Sequence, residues 1–138
     1  MKSDFERSII RQFSGVLKKH NFRLVASECE PEAFDNSQMT FESEDFLLRI
    51  YRDRSYIGVD VGPRGAGDDL VPLEIVMEFF GCKYAGDSRE FADFIGKKYD
   101  HLRVALSPSG YTEFKATFDK FAGTRFLLKH PGAFRRQN

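Results

Sequence analysis

The sequence predicts an α+β fold in which an N-terminal helix is followed by a four-stranded antiparallel meander and then by about three helices packed on one face of the sheet. Three observations support this prediction. Apolar residues recur at helical spacing over 5–20, four short segments between 22 and 62 alternate in polarity, and helical spacing returns over 70–128. Strands and helices that are segregated along the chain favour this class over a parallel βαβ sheet.

The first helix is predicted over residues 5–20. The residues that recur on one side of it are Phe5, Ile9, Phe13, Val16, Leu17 and His20. Ser3 and Glu6 have the spacing of a capping box, in which a hydroxyl and a carboxylate accept hydrogen bonds from free backbone amides at the helix start. Asn21 tolerates the left-handed conformation that ends helices, so the helix is expected to stop there.

Four strands are predicted over 22–27, 38–43, 46–51 and 56–62. Alternation is clearest in the third segment, where Phe46, Leu48 and Ile50 share one face, as is typical of half-buried antiparallel strands. The links at 44–45 and 53–55 are short enough for hairpins. The opposite face of the third and fourth strands is polar. Its residues are Arg49, Tyr51, Tyr56 and Asp60.

Three helices are predicted beyond a glycine-rich loop over 63–69, with apolar stripes over 70–80, 91–106 and 114–128. Asp87 and Glu90 form a second candidate capping box, and Pro108 with Gly110 separates the last two helices. Gly123 is expected to disturb the last helix. The pattern therefore predicts one α+β domain over 1–129, with 130–138 as a flexible C-terminal tail.

The composition is that of a globular domain that can build its own core. The chain has 138 residues, of which 41% are apolar, and 15 are Phe. A domain of this length buries about two-thirds of the surface of its unfolded chain, so it does not depend on a disulfide or a metal. The 21 basic and 21 acidic side chains give a formal net charge of zero, which does not favour binding to nucleic acid or to an anionic membrane.

The cysteines and the N-terminus indicate a cytoplasmic location. Cys29 and Cys82 are not in a CxxC pair, whereas small secreted domains usually carry several paired cysteines. Residues 1–20 contain charges throughout and lack the apolar stretch of a signal peptide. No apolar run approaches the ~20 residues of a membrane-spanning helix.

No catalytic residue, cofactor or metal site is predicted. His20, His101 and His130 are too far apart in sequence to form a known metal-binding motif. The GxSxG motif of a nucleophile elbow is absent. Cys29 stands among acidic residues, which disfavour a reactive thiolate. The glycine-rich loop lacks the GK[ST] ending of a phosphate-binding loop, so a plain strand-to-helix connection is the preferred interpretation.

A stretch of negative charge covers the first predicted hairpins. No Lys or Arg lies between Arg23 and Arg49. The acidic residues in this interval are Glu28, Glu30, Glu32, Asp35, Glu42, Glu44 and Asp45. Two interpretations remain open. The stretch is either a solvated acidic edge or a docking surface for a basic protein partner, where charge complementarity speeds association and sets its register.

Residues 40–54, with the sequence TFESEDFLLRIYRDR, and residues 59–63, with VDVGP, carry a resemblance to a protein family. The pattern resembles that of small uncharacterised bacterial proteins, themselves similar to candidate immunity proteins of polymorphic toxin systems. It includes a leading amphipathic helix, an FES strand, an LRIxxDR strand and a Val/Gly strand, followed by helices. The resemblance implies a non-enzymatic intracellular protein that binds a toxin and blocks it. The acidic stretch fits this implication, because nuclease toxins are commonly basic.

Two other functions remain open. A meander covered by helices can enclose a pocket, so the polar strand face is a candidate site for a small molecule or for catalysis, as well as an ordinary solvated sheet face. Sheet edges and exposed Phe rings can also pair chains, which would make the protein an oligomeric scaffold module. The sequence identifies no partner for any of these functions.

Overall fold

The structure is a computed structural model that describes residues 4–29, 36–65, 67 and 69–129. Its helices are α1 (Asp4–Lys19), α2 (Leu73–Phe79), α3 (Arg89–Ala105) and α4 (Tyr111–Lys129). Its strands are β1 (Arg23–Cys29), β2 (Ser37–Glu42), β3 (Leu47–Asp53), β4 (Tyr56–Gly62) and β5 (Val71–Pro72). The predicted α+β fold, with one helix, a meander and then three helices, is confirmed. The expected tail over 130–138 and the Ser3 cap lie outside the described residues.

The strands form one antiparallel sheet in the order β1-β2-β3-β4-β5. The prediction of four strands is incomplete, because β5 pairs with β4 through Val71 opposite Val61. The sequence pattern placed Val71 in a helix over 70–80, whereas α2 begins at Leu73. A residue before a proline is held in an extended conformation, which keeps Val71 out of the helix, and a two-residue strand is too short to show a period.

The helices cover one face of the sheet and share a single core with it. Phe46, Leu48 and Ile50, on the predicted apolar face, are fully buried. The largest fully buried side chains are Phe5, Phe13, Phe46, Phe91, Ile9, Met39, Leu48, Ile50, Leu73, Ile95, Leu102 and Leu106. Because side chains alternate along a strand, the residues between these buried positions point to the opposite face, called the outer face below.

Two predicted helix boundaries are present as hydrogen-bonded caps. Asn21 has a φ of 55°, and the amide of Phe22 donates a 2.9 Å hydrogen bond to the Leu17 carbonyl, which ends α1. At the start of α3, the carboxylate of Glu90 accepts a 3.1 Å hydrogen bond from the Asp87 amide. This contact is the carboxylate half of the predicted capping box.

The last helix is continuous, and the expected disturbance at Gly123 is not present. A single glycine costs a helix only about 1 kcal/mol relative to alanine, which tertiary packing can offset. Phe79 of α2 packs edge-to-face against Phe121 of α4, with ring centroids 5.4 Å apart. One turn beyond, Arg125 forms an ion pair with Glu78 of α2. These contacts hold both sides of Gly123 against α2.

Candidate functional site

The outer face of the sheet brings the predicted polar residues into register. Arg49 on β3 lies directly opposite Asp60 on β4, and Tyr51 lies opposite Gly58. On the other side of β3, Gln38 of β2 lies opposite Tyr51. Directly paired residues of antiparallel strands point to the same face, so these side chains share the face that lies away from the helices.

A cleft of about 520 Å³ lies on this face, at the end of the sheet where β2 begins and β3 ends. Its lining residues are Glu28, Asn36, Ser37, Gln38, Arg49, Tyr51, Arg52, Asp53 and Asp60. Carboxylates and guanidinium groups both line it, so the cleft can pair with either charge of a ligand. Arg49, Tyr51 and Asp60, which the sequence placed on one strand face, therefore line one cavity.

Tyr51 is positioned by a glycine on the neighbouring strand. A Cβ atom at Gly58 would lie 2.2 Å from Cζ of Tyr51, so the ring occupies the space that any side chain at position 58 would need. The Tyr51 and Tyr56 rings lie 6.3 Å apart. Tyr56 stands beside the cleft rather than in its lining, and its hydroxyl donates a 2.9 Å hydrogen bond to Glu74.

Arg52 reaches the cleft from the end of β3. Its guanidinium lies over the ring of Phe5 on α1, 5.2 Å from the ring centroid. A cation over an aromatic face is attracted by the negative charge of that face, which holds the side chain in place. Because Tyr51 and Asp53 point to the outer face, the Arg52 guanidinium lies on the helix side of the sheet, and Arg52 borders the cleft only at its edge.

Burial shifts the pKa values of Asp60 and Tyr51, which line the cleft, and of Tyr56 beside it. Burial raises the pKa of Asp60, and the facing Arg49 guanidinium opposes this shift. Burial, followed by the charge of Asp60, also raises the pKa of Tyr51. Burial and the hydrogen bond to Glu74 raise the pKa of Tyr56. Both phenols are consequently neutral hydrogen-bond donors at physiological pH.

The described acidic residues of the 28–45 interval lie in different parts of the structure and have different contacts. Glu28 lines the cleft, whereas Glu42 lies near the other end of β2. There the Glu42 carboxylate accepts a 2.6 Å hydrogen bond from Arg64 and lies 3.8 Å from Arg23. Glu42 is thus neutralised within the chain. Glu30, Glu32 and Asp35 lie outside the described residues.

The two remaining acidic residues lie in the turn between β2 and β3. Glu44 is exposed, and its backbone carbonyl accepts a hydrogen bond from Arg64 at 3.3 Å. The carboxylate of Asp45 accepts a 2.7 Å hydrogen bond from the Tyr99 hydroxyl. Asp45 therefore serves a contact within the fold, which reduces its availability to a partner.

Other side chains of types that often act in catalysis or metal binding make contacts within the fold instead. His20 stacks on Tyr99 with ring centroids 3.7 Å apart, and Cys82 is a partly buried thiol packed against the core. In the glycine-rich loop, Asp69 forms an ion pair with Lys115. Within the part of the chain that the structure describes, no group of three or more His, Cys, Asp or Glu side chains is arranged to hold a metal ion.

Sequence reasoning missed several cleft residues. Gln38, Arg52 and Asp53 lie at strand ends, where alternation alone does not show which residues meet. The pairing of Gln38 with Tyr51 depends on the β2–β3 register. The length of the turn between β2 and β3 helps to set that register. This length was the one sequence signal that indicated the pairing.

Comparison with protein-family models, with curated proteins and with solved structures finds no match to this chain. Among the described residues, no helix combines the length and the apolar character needed to cross a membrane. The cleft on the outer face is therefore interpreted from its own geometry and charge.

Proposed function

We propose that this chain is a non-enzymatic protein-binding domain and that its outer-face cleft receives a charged segment of a protein partner. The observation that carries the proposal is the convergence of Arg49, Tyr51 and Asp60 in one cleft with charged groups of both signs. A segment with a basic side chain can pair with the exposed carboxylate of Asp53. Such complementarity selects a partner and sets its register.

The lining of the cleft favours a protein segment over a small molecule. Sites for small molecules are mostly apolar, with a few polar groups that orient the ligand. Among the described lining residues, Tyr51 is the single aromatic one, and the others are charged or polar. Interfaces that form reversibly between proteins are about as polar as the rest of the protein surface, so this polar lining is compatible with one.

The more specific form of the proposal is an immunity-type inhibitor that acts in the cytoplasm. The two segments that resemble candidate immunity proteins, 40–54 and 59–63, contribute to β2, β3 and β4. They contain Arg49, Tyr51, Asp53 and Asp60 of the cleft lining. The residues that carry the resemblance and the residues that form the cleft thus overlap. A basic toxin would present cations to Glu28 and Asp53.

The test is a capture experiment followed by a binding measurement with a charge-reversed variant. The wild-type chain is used at low salt to capture proteins from the cells that naturally contain it, and the captured partner is then purified. Asp53→Lys is the variant, because Asp53 is exposed and its replacement leaves the core unchanged. We expect it to weaken binding at least about tenfold in isothermal titration calorimetry.

The matched control is Asp119→Lys, which makes the same change of charge at an exposed position of α4. We expect it to bind like the wild type. Recovery of the chain alone, or equal affinity of the two variants, would contradict the proposed role of the cleft. The immunity-type function further requires that the partner inhibit growth when expressed alone and not when the wild-type chain is co-expressed.

A small polar ligand is the second candidate, and the size of the cleft favours it. The volume of about 520 Å³ lies within the ~300–1,000 Å³ range of small-molecule sites. L-Glutamate and L-lysine are suitable probes because each carries both charge signs. We expect saturable amide shifts in β2, β3 and β4 in NMR titrations of the labelled chain. No shift with either amino acid at about 10 mM would exclude an amino-acid-like ligand of useful affinity.

A further inference from the structure

β1 is an exposed edge of the sheet and is seven residues long. Within the described part of the chain it pairs with β2 alone, and residues 23–28 are all exposed. Leu24 and Val25 expose 47% and 48% of their surface, although both are apolar. The other edge, β5, has two residues and ends in Pro72, which has no amide hydrogen to donate. β1 is consequently the edge at which a further strand can add.

We propose that β1 pairs antiparallel with β1 of a second copy of this chain, about a two-fold axis that places Arg23 opposite Glu28 of the other copy. In this register Leu24 faces Ser27, and Val25 faces Ala26. The two five-stranded sheets then form one continuous sheet. This interface goes beyond the protein-binding function proposed above and uses the sheet edge, where Glu28 also lines the cleft.

The β-bulge in β1 makes this register compatible with the pleat of the strands. In a regular strand, residues five apart point to opposite faces. In β1, however, Arg23 pairs with Glu42 and Glu28 pairs with Gln38, because Val25 is an extra residue without a partner on β2. Residues four apart on β2 share a face, so Arg23 and Glu28 share the outer face.

A register shifted by one residue does not meet this requirement. A slip of one residue would place Arg23 opposite Ser27 of the other copy. Ser27 pairs with the fully buried Met39 and so lies on the inner face. An outer-face residue would then face an inner-face residue, which the pleat does not allow. A bulge also hinders pairing with an unrelated regular strand, which favours a second β1 as the occupant of this edge.

The proposed register pairs the two charges of the strand. Arg23 and Glu28 are the charged residues of β1, and the two-fold axis brings them together twice. Opposite charges directly across antiparallel strands attract each other. Because Glu28 lines the cleft, the second copy also brings a cationic side chain to the margin of the candidate site. In the dimer Glu28 is therefore neutralised, and Asp53 remains as the exposed acidic group that a basic partner can meet.

The experiment is sedimentation equilibrium of the full chain and of two charge-reversed variants. We expect the wild type to form a dimer in a concentration-dependent way. Arg23→Glu and Glu28→Arg should each weaken the dimer about tenfold, because both charge pairs of the interface become repulsive. An equimolar mixture of the two variants should restore the dimer, since each variant supplies the charge that the other lacks.

Lys120→Glu, at an exposed position of α4, is the control for net charge and should dimerise like the wild type. A wild type that remains monomeric at about 1 mM would overturn the proposal. So would a dimer that neither variant weakens, or variants that dissociate but do not associate with each other when mixed. Asp53→Lys leaves β1 unchanged, so failure of the dimer and failure of the cleft function give separate results.

Discussion

The hydroxyl of Tyr99 on α3 donates a 2.7 Å hydrogen bond to the carboxylate of Asp45 in the turn between β2 and β3. The Ser43 hydroxyl lies 2.8 Å from the same phenol oxygen and accepts hydrogen bonds from the amides of Asp45 and Phe46. Burial, together with the Asp45 carboxylate, raises the pKa of Tyr99 to about 12, so the phenol remains a donor. This network fixes the turn to α3 and gives one acidic residue a role in the fold.

Tyr99→Phe should lower the free energy of unfolding by about 1–3 kcal/mol, because it leaves the buried Ser43 hydroxyl and the Asp45 carboxylate short of a partner. Urea unfolding followed by circular dichroism measures this change. Tyr84→Phe is the matched control, since the Tyr84 ring stacks on Phe91 while its hydroxyl has no hydrogen bond to the described residues. We expect the control to change stability by about 0.5 kcal/mol or less. Equal effects of the two substitutions would refute the role of the network.

His20 should make the wild type less stable in mild acid. Burial, followed by the charge of Lys19, lowers the pKa of His20, while Asp100 and Asp45 oppose this shift. Protonation then favours the unfolded chain, so the stability associated with neutral His20 is complete above its unfolded pKa of about 6.5 and is lost as the pH falls through the folded pKa. His20→Gln lacks this dependence. Urea unfolding between about pH 7.5 and pH 5 should show the wild type losing stability relative to the variant; parallel curves would contradict this prediction.

Gly58→Ala should destabilise the protein by about 1–3 kcal/mol, because the new methyl group collides with the Tyr51 ring. The ring must then leave its position in the cleft, and its aromatic NMR signals should shift. Gly15→Ala is the control, since a Cβ atom at this exposed position of α1 has no atom within 4 Å. The control should stabilise the helix by about 1 kcal/mol or less. A Gly58→Ala protein as stable as the wild type would contradict this prediction, because it would show that the Tyr51 ring moves without a cost in stability.

Asp60→Asn should remove a penalty that the wild type acquires as the pH rises. Because burial raises the pKa of Asp60 in the folded state, ionisation favours the unfolded chain. The associated stability is complete below the unfolded pKa of about 3.9 and is lost as the pH rises through the folded pKa. The variant should therefore gain stability relative to the wild type from about pH 3.5 to about pH 6. Carboxyl NMR of the wild type checks the cause, and an Asp60 midpoint below the ordinary value would reject it.

Much of the fold was predictable because its signals are local. Alternation placed β4 at its observed bounds, 56–62, and identified Phe46, Leu48 and Ile50 as the buried face. The bounds of β2 and β3 differ from the predicted ones by no more than two residues. β5 was missed because a strand of two residues is too short to show an alternating pattern, and its pairing with β4 leaves no signal in the local sequence.

The candidate site was predictable only in part. Alternation placed Arg49, Tyr51 and Asp60 on one face, but it did not show that they line a cleft with Gln38 and Glu28. The acidic interval was visible as a run of charge. Its division between the cleft, the Arg64 contact and the Tyr99 contact depends on where each strand end meets its neighbours.

The class of the fold, the polarity of the β3 and β4 faces and the ends of α1 and α3 were all readable from the amino-acid order, because they depend on residues within a few positions of one another. Which acidic residues are neutralised within the chain, and which line the cleft, depends on long-range packing. Asp45 meets Tyr99 across 54 positions of sequence, and Glu42 meets Arg64 across 22. Such contacts arise from packing between distant elements, and no local pattern of charge or polarity encodes them.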